Sequence, residues 1–141
     1  MACRAYLNGD ESSPSGTDTI VPFDTVSFDT HNGFDTTSAV ESGRGEYTVP
    51  VTGIYKVSAT VAISEVTAGT SGSVRVRSNT TTKQYVFEEA DSVGSGRLHV
   101  QIDDLLQLTK GDKIDVVVVA DASYTIQGTG GYTIFSAYKI K

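Results

Sequence analysis

The sequence predicts an all-β fold, and three observations support that class. Thr, Ser, Val, Gly and Tyr are abundant while Trp is absent, and β-branched and aromatic residues favour strands. No stretch shows apolar residues recurring at the spacing of three and four that an amphipathic helix requires. Turn-forming residues recur at short intervals, so we expect about ten short strands arranged as a β-sandwich or jelly roll.

Length and charge limit the number of domains and the range of partners. The chain has 141 residues, the size of one domain, so we expect a single jelly-roll domain over residues 1–141. Its formal net charge is −6 and it has no basic cluster that could neutralise phosphates. The composition therefore predicts that the protein binds neither nucleic acid nor an anionic membrane.

Cysteine usage and the apolar runs bear on the compartment. The single cysteine, Cys3, cannot form an intrachain disulfide, so stability must come from packing. The first residues contain no apolar run typical of a secretory leader. The longest apolar run, Ile114 to Ala122, is interrupted by two aspartates and is too short to span a bilayer. These features predict a protein made and folded in a cytoplasm.

The clearest single element is a long central strand that follows a turn at Pro50 and Gly53. Residues of two classes alternate along it: Tyr55, Val57, Ala59, Val61 and Ile63 on one face, and Ile54, Lys56, Ser58, Thr60 and Ala62 on the other. Alternation with period two indicates a strand with one face in the core. Pro50 and a glycine free to adopt positive φ define its start.

Four short strands are predicted before the central strand, at Arg4–Leu7, Ile20–Phe23, Val26–Phe28 and Glu46–Val49. Pro22 confines the second of these to an edge or a bend, because proline cannot donate a ladder hydrogen bond. The polar stretch between the first two, Asn8 to Asp18, is predicted to be a loop, and Asn32-Gly33 predicts a tight turn.

Five strands are predicted after the central strand, at Ser73–Ser78, Lys83–Glu89, Arg97–Leu108, Lys113–Ala120 and Tyr132–Ile140. Thr109 to Asp112 predicts a tight turn with positive φ at Gly111. The glycine-rich segments at 94–96 and 128–131 are predicted to be hairpin connections. Neither opens a helix, so neither is a phosphate-binding loop.

Three segments, taken in order, carry a family resemblance. They are Val49–Val57 with its Gly-x-Tyr, Leu105–Ile114 with its Leu-x-x-Gly-Asp, and Thr133–Tyr138. This order resembles the tumour necrosis factor and complement first-component globular-head family over Phe34 to Ile140. Ala137 stands where the family usually has glycine. The opening, with Phe28-Asp29 and Gly33-Phe34-Asp35, is more similar to the phage and bacterial members.

The resemblance implies a ten-stranded jelly roll that assembles as a homotrimer. One sheet, built from the first, central, Gln101-containing and last strands, would face the threefold axis. The last strand is apolar on both faces, which fits a strand covered on both sides. We expect the trimer interface to include Ile54, Lys56, Ser58, Gln101, Phe135 and Ala137.

Catalytic residues are scarce. With two histidines and one cysteine, the chain has little material for a nucleophilic triad or a three-ligand zinc site. We therefore expect no enzyme, no catalytic residues and no cofactor-binding residues. Tyr85, Phe87 and Tyr124 could form a sugar-stacking surface, although single exposed aromatics are ordinary.

Metal binding has only weak candidates. Asp24, Asp29 and Asp35, or separately Asp103-Asp104, could supply oxygen ligands for calcium, which some relatives bind; solvated loops are the simpler interpretation. His99 and Asp103 lie on the axis-facing side of one strand, where three copies of each would converge in a trimer. A hydrated polar lining is the alternative to an ion site there.

The function expected from these features is structural and non-enzymatic. A bare, acidic, cytoplasmically made trimer is what a phage capsid decoration (cement) protein would be, docked on threefold positions of the shell. Its partners would be itself and the major capsid protein or another virion protein, and its location the virion. The alternatives are the receptor-binding head of a phage tail or head fibre and a bacterial lectin-like binding module, because fold alone does not decide function.

Overall fold

The computed structural model describes residues 1–13, 16–38, 44–78, 82–88 and 97–141, which form twelve strands and no helix. The strands are β1 (Ala2–Tyr6), β2 (Glu11–Ser13), β3 (Thr19–Ile20), β4 (Thr25–Asp29), β5 (Tyr47–Thr48), β6 (Gly53–Ser64), β7 (Ser71–Ser78), β8 (Thr82–Glu88), β9 (Leu98–Leu108), β10 (Lys113–Ala120), β11 (Tyr124–Ile126) and β12 (Ile134–Lys139). In these ranges no helix is long and apolar enough to cross a membrane.

The strands form two antiparallel sheets that enclose one core, which confirms the predicted sandwich. Sheet A has seven strands in the order β2-β11-β6-β12-β1-β4, with β9 paired to the other edge of β6. Sheet B has five strands in the order β3-β10-β7-β8, with β5 also paired to β10. The first, central, Gln101-containing and last strands therefore share sheet A, as the resemblance implied.

The core lies between the sheets and is filled by alternate residues of each strand. Along β6, Tyr55, Val57, Ala59 and Val61 are buried while the side chains between them are partly exposed. Four aromatic rings meet near the middle. The centroid of Phe135 lies 5.9 Å from that of Phe23, 5.5 Å from Phe34 and 6.3 Å from Tyr47. Tilted ring pairs at these separations add to the stabilisation from burial.

Phe135 and Ala137 face this core, so their predicted place on the axis-facing side is wrong. They are 1 % and 0 % exposed in a single chain. Register is the physical reason: Phe135 pairs with Ala59 and Ala137 with Val57. Side chains directly opposite in a ladder point to the same side of the sheet. The outward side chains of β12 are those of Ile134, Ser136 and Tyr138.

Several predicted boundaries differ from the observed strands. Two short strands, Glu11–Ser13 and Tyr124–Ile126, pair with each other. The first lies inside the loop predicted for Asn8 to Asp18, and the second lies where no strand was predicted. The strand predicted at Ile20–Phe23 ends at Ile20, because Pro22 interrupts the ladder. The glycine segment at 94–96 lies outside the described residues.

Two glycines act differently. Gly111 adopts φ 92°, as the tight turn requires. Gly53 is not in the left-handed region; a Cβ there would collide with the Lys139 side chain and the Lys141 carbonyl, so close approach explains the glycine. At the Asn32-Gly33 turn, Asn32 carries the positive φ, 51°.

Candidate functional site

The outward face of sheet A lies on the opposite side of the sheet from the core, and strand register arranges its side chains in rows. From the end that holds both termini, the rows are Ile140-Ile54-Gln107; Ala2-Tyr138-Lys56-Leu105; Arg4-Ser136-Ser58-Asp103; Tyr6-Ile134-Thr60-Gln101; and Ala62-His99. Eight residues of β6 separate the first row from the last, a distance of roughly 26 Å. The two ends of this face differ in character.

The end near the termini is apolar. Ile54, Leu105, Tyr138 and Ile140, which we call the termini-end patch, are 39 %, 57 %, 45 % and 53 % exposed. Ile140 and Ile54 are neighbours in the first row, and Tyr138 and Leu105 flank Lys56 in the second. Exposed apolar side chains grouped at one end of a face mark an interaction surface.

The middle of the face is polar and internally paired on β6 and β9, while Phe28 on β4, opposite Arg4, adds an exposed aromatic side chain at its edge. Lys56 Nζ lies 3.1 Å from Asp103 Oδ2, and Ser58 Oγ donates to Asp103 Oδ1 at 3.3 Å. The hydrogen bond to Asp103 and the negative charge of that carboxylate raise the pKa of Lys56. On β1, Arg4 Nη1 donates to the neutral Ser27 Oγ. The charges of Lys56 and Asp103 are therefore compensated within one chain.

The end far from the termini carries a second group, Arg97, His99, Gln127 and Tyr132, which we call the distal cluster. The Arg97 guanidinium carbon lies 4.0 Å from the Tyr132 ring centroid, and Arg97 Nε donates to Gln127 Oε1 at 2.9 Å. The His99 ring stands edge-on to Tyr132, with centroids 6.0 Å apart. Planar side chains thus stack and hydrogen-bond at one exposed corner.

The loop before Tyr132 is held by Asp10. Its Oδ1 accepts the backbone N–H groups of Gly128 and Thr129, each at 3.0 Å. The Thr129 hydrogen bond is the main cause that lowers the pKa of Asp10, and the charge of Arg97 contributes in the same direction. This anchoring fixes the loop from which Tyr132 projects.

Sheet B presents a different outward surface. Arg75 pairs with Asp18 at 3.3 Å, and Arg77 pairs with Asp115 at 2.6 Å. Lys113 lies 3.1 Å from Glu46. Surface ion pairs of this kind stay hydrated at little cost. The apolar side chains of the termini-end patch gain nothing from contact with water.

The residues expected at the trimer interface fall into two groups. Ile54, Lys56, Ser58 and Gln101 all lie on the outward face of sheet A, in four successive rows. Their contact with another copy stays a prediction. Phe135 and Ala137 belong to the core, as described above.

The candidate metal ligands are dispersed. His99 and Asp103 do share the outward face of β9, but Gln101 lies between them and their positions are roughly 13 Å apart. Asp24, Asp29 and Asp35 each accept hydrogen bonds from nearby loop N–H groups, those of Asn8 for Asp24, His31 and Phe34 for Asp29, and Thr37 and Ser38 for Asp35. The part of the chain that the structure describes holds no group of three or more His, Cys, Asp or Glu residues arranged to bind a metal.

The aromatic residues considered for sugar stacking do not form one surface. Tyr124 is 2 % exposed and its hydroxyl donates to the Val118 carbonyl, so that candidate was wrong. The side chains of Tyr85 and Phe87 are outside the described part. Arg97 and Tyr132 were not predicted as site residues, because they lie 35 positions apart and meet only through the fold.

The comparisons with known proteins agree with this architecture. The family model described as the C1q domain matches residues 5–140, so the chain belongs to the C1q domain family. No curated protein matches the chain significantly.

Solved structures show the same fold. The globular domain of zebrafish complement 1qA is 23 % identical, with 99 % of this chain and 97 % of that chain covered and a TM-score of 0.66. Murine APRIL at pH 8.0 is 15 % identical, with coverages of 99 % and 98 % and a TM-score of 0.68. Eiger TNF from S. frugiperda is 13 % identical, with coverages of 100 % and 92 % and a TM-score of 0.63. The resemblance to complement globular heads is confirmed at the level of family, and the resemblance to tumour necrosis factor proteins at the level of fold. The phage or bacterial branch stays a prediction.

Proposed function

We propose that the protein is a non-enzymatic binding module that works as a homotrimer, with the termini-end patch and the polar rows beside it buried between copies. The observation that carries the proposal is the termini-end patch, four apolar side chains at one end of sheet A that a single chain leaves between 39 % and 57 % exposed. Homotrimeric assembly is also what the resemblance to complement and tumour necrosis factor heads implies.

A second or third copy of this chain is the occupant that fits the face. Because Lys56 and Asp103 are paired, covering the rows next to the patch buries an ion pair rather than two isolated charges. The ion pairs of sheet B leave its outward face suited to solvent. Association through sheet A therefore covers apolar surface and leaves the charged face of each copy in water.

The absence of enzymatic activity is supported by the chemistry available. Cys3 is 1 % exposed, and burial is the main cause that raises its pKa to about 12, so the thiol is protonated near neutral pH. His31 and His99 lie on different strands or loops, and His31 Nδ1 contacts the Thr30 hydroxyl. In the described ranges neither histidine ring has a carboxylate partner that would orient it as a general base, and the Thr30 hydroxyl is also bonded to the backbone of Ala2.

The finer function that we propose is capsid decoration, with the trimer docked on threefold positions of a virion shell and the major capsid protein or another virion protein as its partner. A trimer presents three copies of each docking loop, such as residues 65–72, so weak contacts combine into avid attachment. Three chains of net charge −6 carry about −18 together, which favours a receiving surface with basic side chains. Attachment then weakens as salt is added, through a slower association rate.

The two levels of this proposal are tested separately. Leu105→Asp places a charge in the termini-end patch and is expected to give folded monomers by sedimentation; Ala68→Asp makes the same change at an exposed turn and is expected to leave the assembly intact. Retention of the assembly in Leu105→Asp would contradict the interface.

For the finer level, wild-type trimer is mixed with undecorated phage shells, host cells and a glycan array. Saturable binding at threefold positions of the shells is the expected result. Binding to cells or glycans with no binding to shells would replace decoration by the fibre-head or lectin-like alternative.

A further inference from the structure

The distal cluster has the features of a ligand site that the trimer interface does not use. It lies roughly 26 Å from the termini-end patch along β6, so association through the patch leaves it open. Arg97 and His99 are exposed, and Tyr132 is 38 % exposed. Its side chains are accessible, yet they are not free to move independently.

The guanidinium of Arg97 is oriented by two contacts. Tyr132 lies under its plane, and Gln127 accepts from its Nε. Gln127 is fixed in turn, since its Nε2 donates to Ser64 Oγ at 2.7 Å. Among the described residues Gln127 is the one hydrogen-bond acceptor of Arg97, so the two terminal nitrogens make no hydrogen bond there. A planar guanidinium with two available nitrogens matches the geometry of a carboxylate or a sulfate.

The surroundings suit a sugar that carries such a group. Tyr132 and His99 offer flat ring surfaces beside the guanidinium, and flat rings contact the apolar face of a sugar. Asp10 is the nearby carboxylate that could compete with a bound anion for Arg97. Its Oδ1 already accepts the backbone N–H groups of Gly128 and Thr129, so that oxygen is not available to pair with the guanidinium.

We propose that the distal cluster binds an acidic sugar, with Arg97 paired to the carboxylate or sulfate group and Tyr132 holding the guanidinium in place. The site goes beyond the proposed function, which requires only self-association and docking. In the proposed trimer three such sites lie at one end of the particle, so a multivalent acidic glycan gains avidity over a single sugar. The gain in avidity rests on the proposed trimer, whereas binding of one sugar at one site does not.

The test is an NMR titration of the protein with sialyllactose, sulfated lactose and lactose. Sialyllactose or sulfated lactose is expected to shift the resonances of residues 97, 99 and 132. The sugar that binds with the higher affinity shows whether the site prefers a carboxylate or a sulfate. Arg97→Gln is expected to weaken binding by about tenfold or more, and Arg97→Lys by less. Lys110→Gln removes the same charge at an exposed turn and serves as the matched control. Equal binding of lactose, or equal loss in the Arg97 and Lys110 variants, would overturn the site.

The same titration on the Leu105→Asp variant separates the two proposals. Unchanged affinity for the monovalent sugar in that variant is expected, because the site belongs to one chain. A wild-type monomer that binds the sugar would contradict the trimer and support the site. A trimer that binds neither acidic sugar would contradict the site and leave the trimer standing.

Discussion

Lys56 and Asp103 are diagonal neighbours on the two longest strands of sheet A, with Nζ and Oδ2 3.1 Å apart. In a single chain their side chains are 37 % and 40 % exposed, and ion pairs that water reaches this easily contribute little to stability. Beneath a neighbouring copy the same pair loses water, which strengthens the attraction between the charges. The pair is therefore a reporter of whether this face is covered.

A double-mutant cycle measures this difference. Lys56→Met and Asp103→Asn, alone and together, are introduced into the wild type and into Ile140→Asp, which charges the termini-end patch outside the row of Lys56 and is expected to give monomers, and urea unfolding is followed at one protein concentration. We expect a coupling energy near zero in the monomeric background and a clearly larger coupling in the assembled protein. Equal coupling in both backgrounds would mean that the face stays exposed to water.

Phe135 and Tyr138 test which side of β12 serves which purpose. Phe135→Ala removes a ring from the aromatic cluster, and we expect the free energy of unfolding to fall by about 3–5 kcal/mol. Tyr138→Ala, on the outward side of the same strand, is expected to weaken association while leaving the stability of the single chain nearly unchanged. Sedimentation and urea unfolding of both variants decide the matter. The reverse pattern would restore the axis-facing placement of Phe135.

Gly111 should be sensitive to substitution because of its backbone rather than its neighbours. It adopts φ 92°, and nothing lies within 4 Å of a Cβ placed there. Gly111→Val is expected to destabilise the fold by about 1–3 kcal/mol through backbone strain. Gly9→Val is the matched control, since its surroundings are equally open and its φ is outside the left-handed region. Equal midpoints of urea unfolding for the two variants would remove backbone strain as the explanation.

Asp35 should contribute to the acid limb of stability. The Ser38 hydroxyl, which donates to Asp35 Oδ2 at 2.6 Å, and the N–H groups of Ser38 and Thr37 lower the pKa of Asp35 to about 2. A lowered pKa means that the stabilisation is present above the unfolded value and is lost as pH falls from about 3.8 to about 2. In Asp35→Asn the free energy of unfolding should therefore fall less steeply over that pH window than in the wild type, as measured by urea unfolding at each pH. Equal slopes in the two proteins would contradict a contribution from Asp35.

Alternation along the sequence predicted the long strands well, because each has one face in the core. β6, β9 and β10 were predicted close to their observed bounds. Alternation failed where a strand is very short, as in β2 and β11, which have three residues each. Such strands exist only because a neighbouring strand supplies the ladder.

The side of a strand is harder to predict when both faces are apolar. Along β12, Ile134 and Tyr138 are apolar on one side and Phe135 and Ala137 on the other, so composition does not identify the core side. The pairing of β12 with β6 decides it. The distal cluster was missed for a related reason, because Arg97 and Tyr132 lie far apart in sequence and no local pattern joins them.

The central claim is that the termini-end patch of sheet A is covered by other copies of the chain, and the mass of the wild-type protein in solution tests it most directly. Sedimentation equilibrium at micromolar concentration is expected to give about 45 kDa, three times the 14.9 kDa of one chain. A mass of one chain across that concentration range would contradict the account.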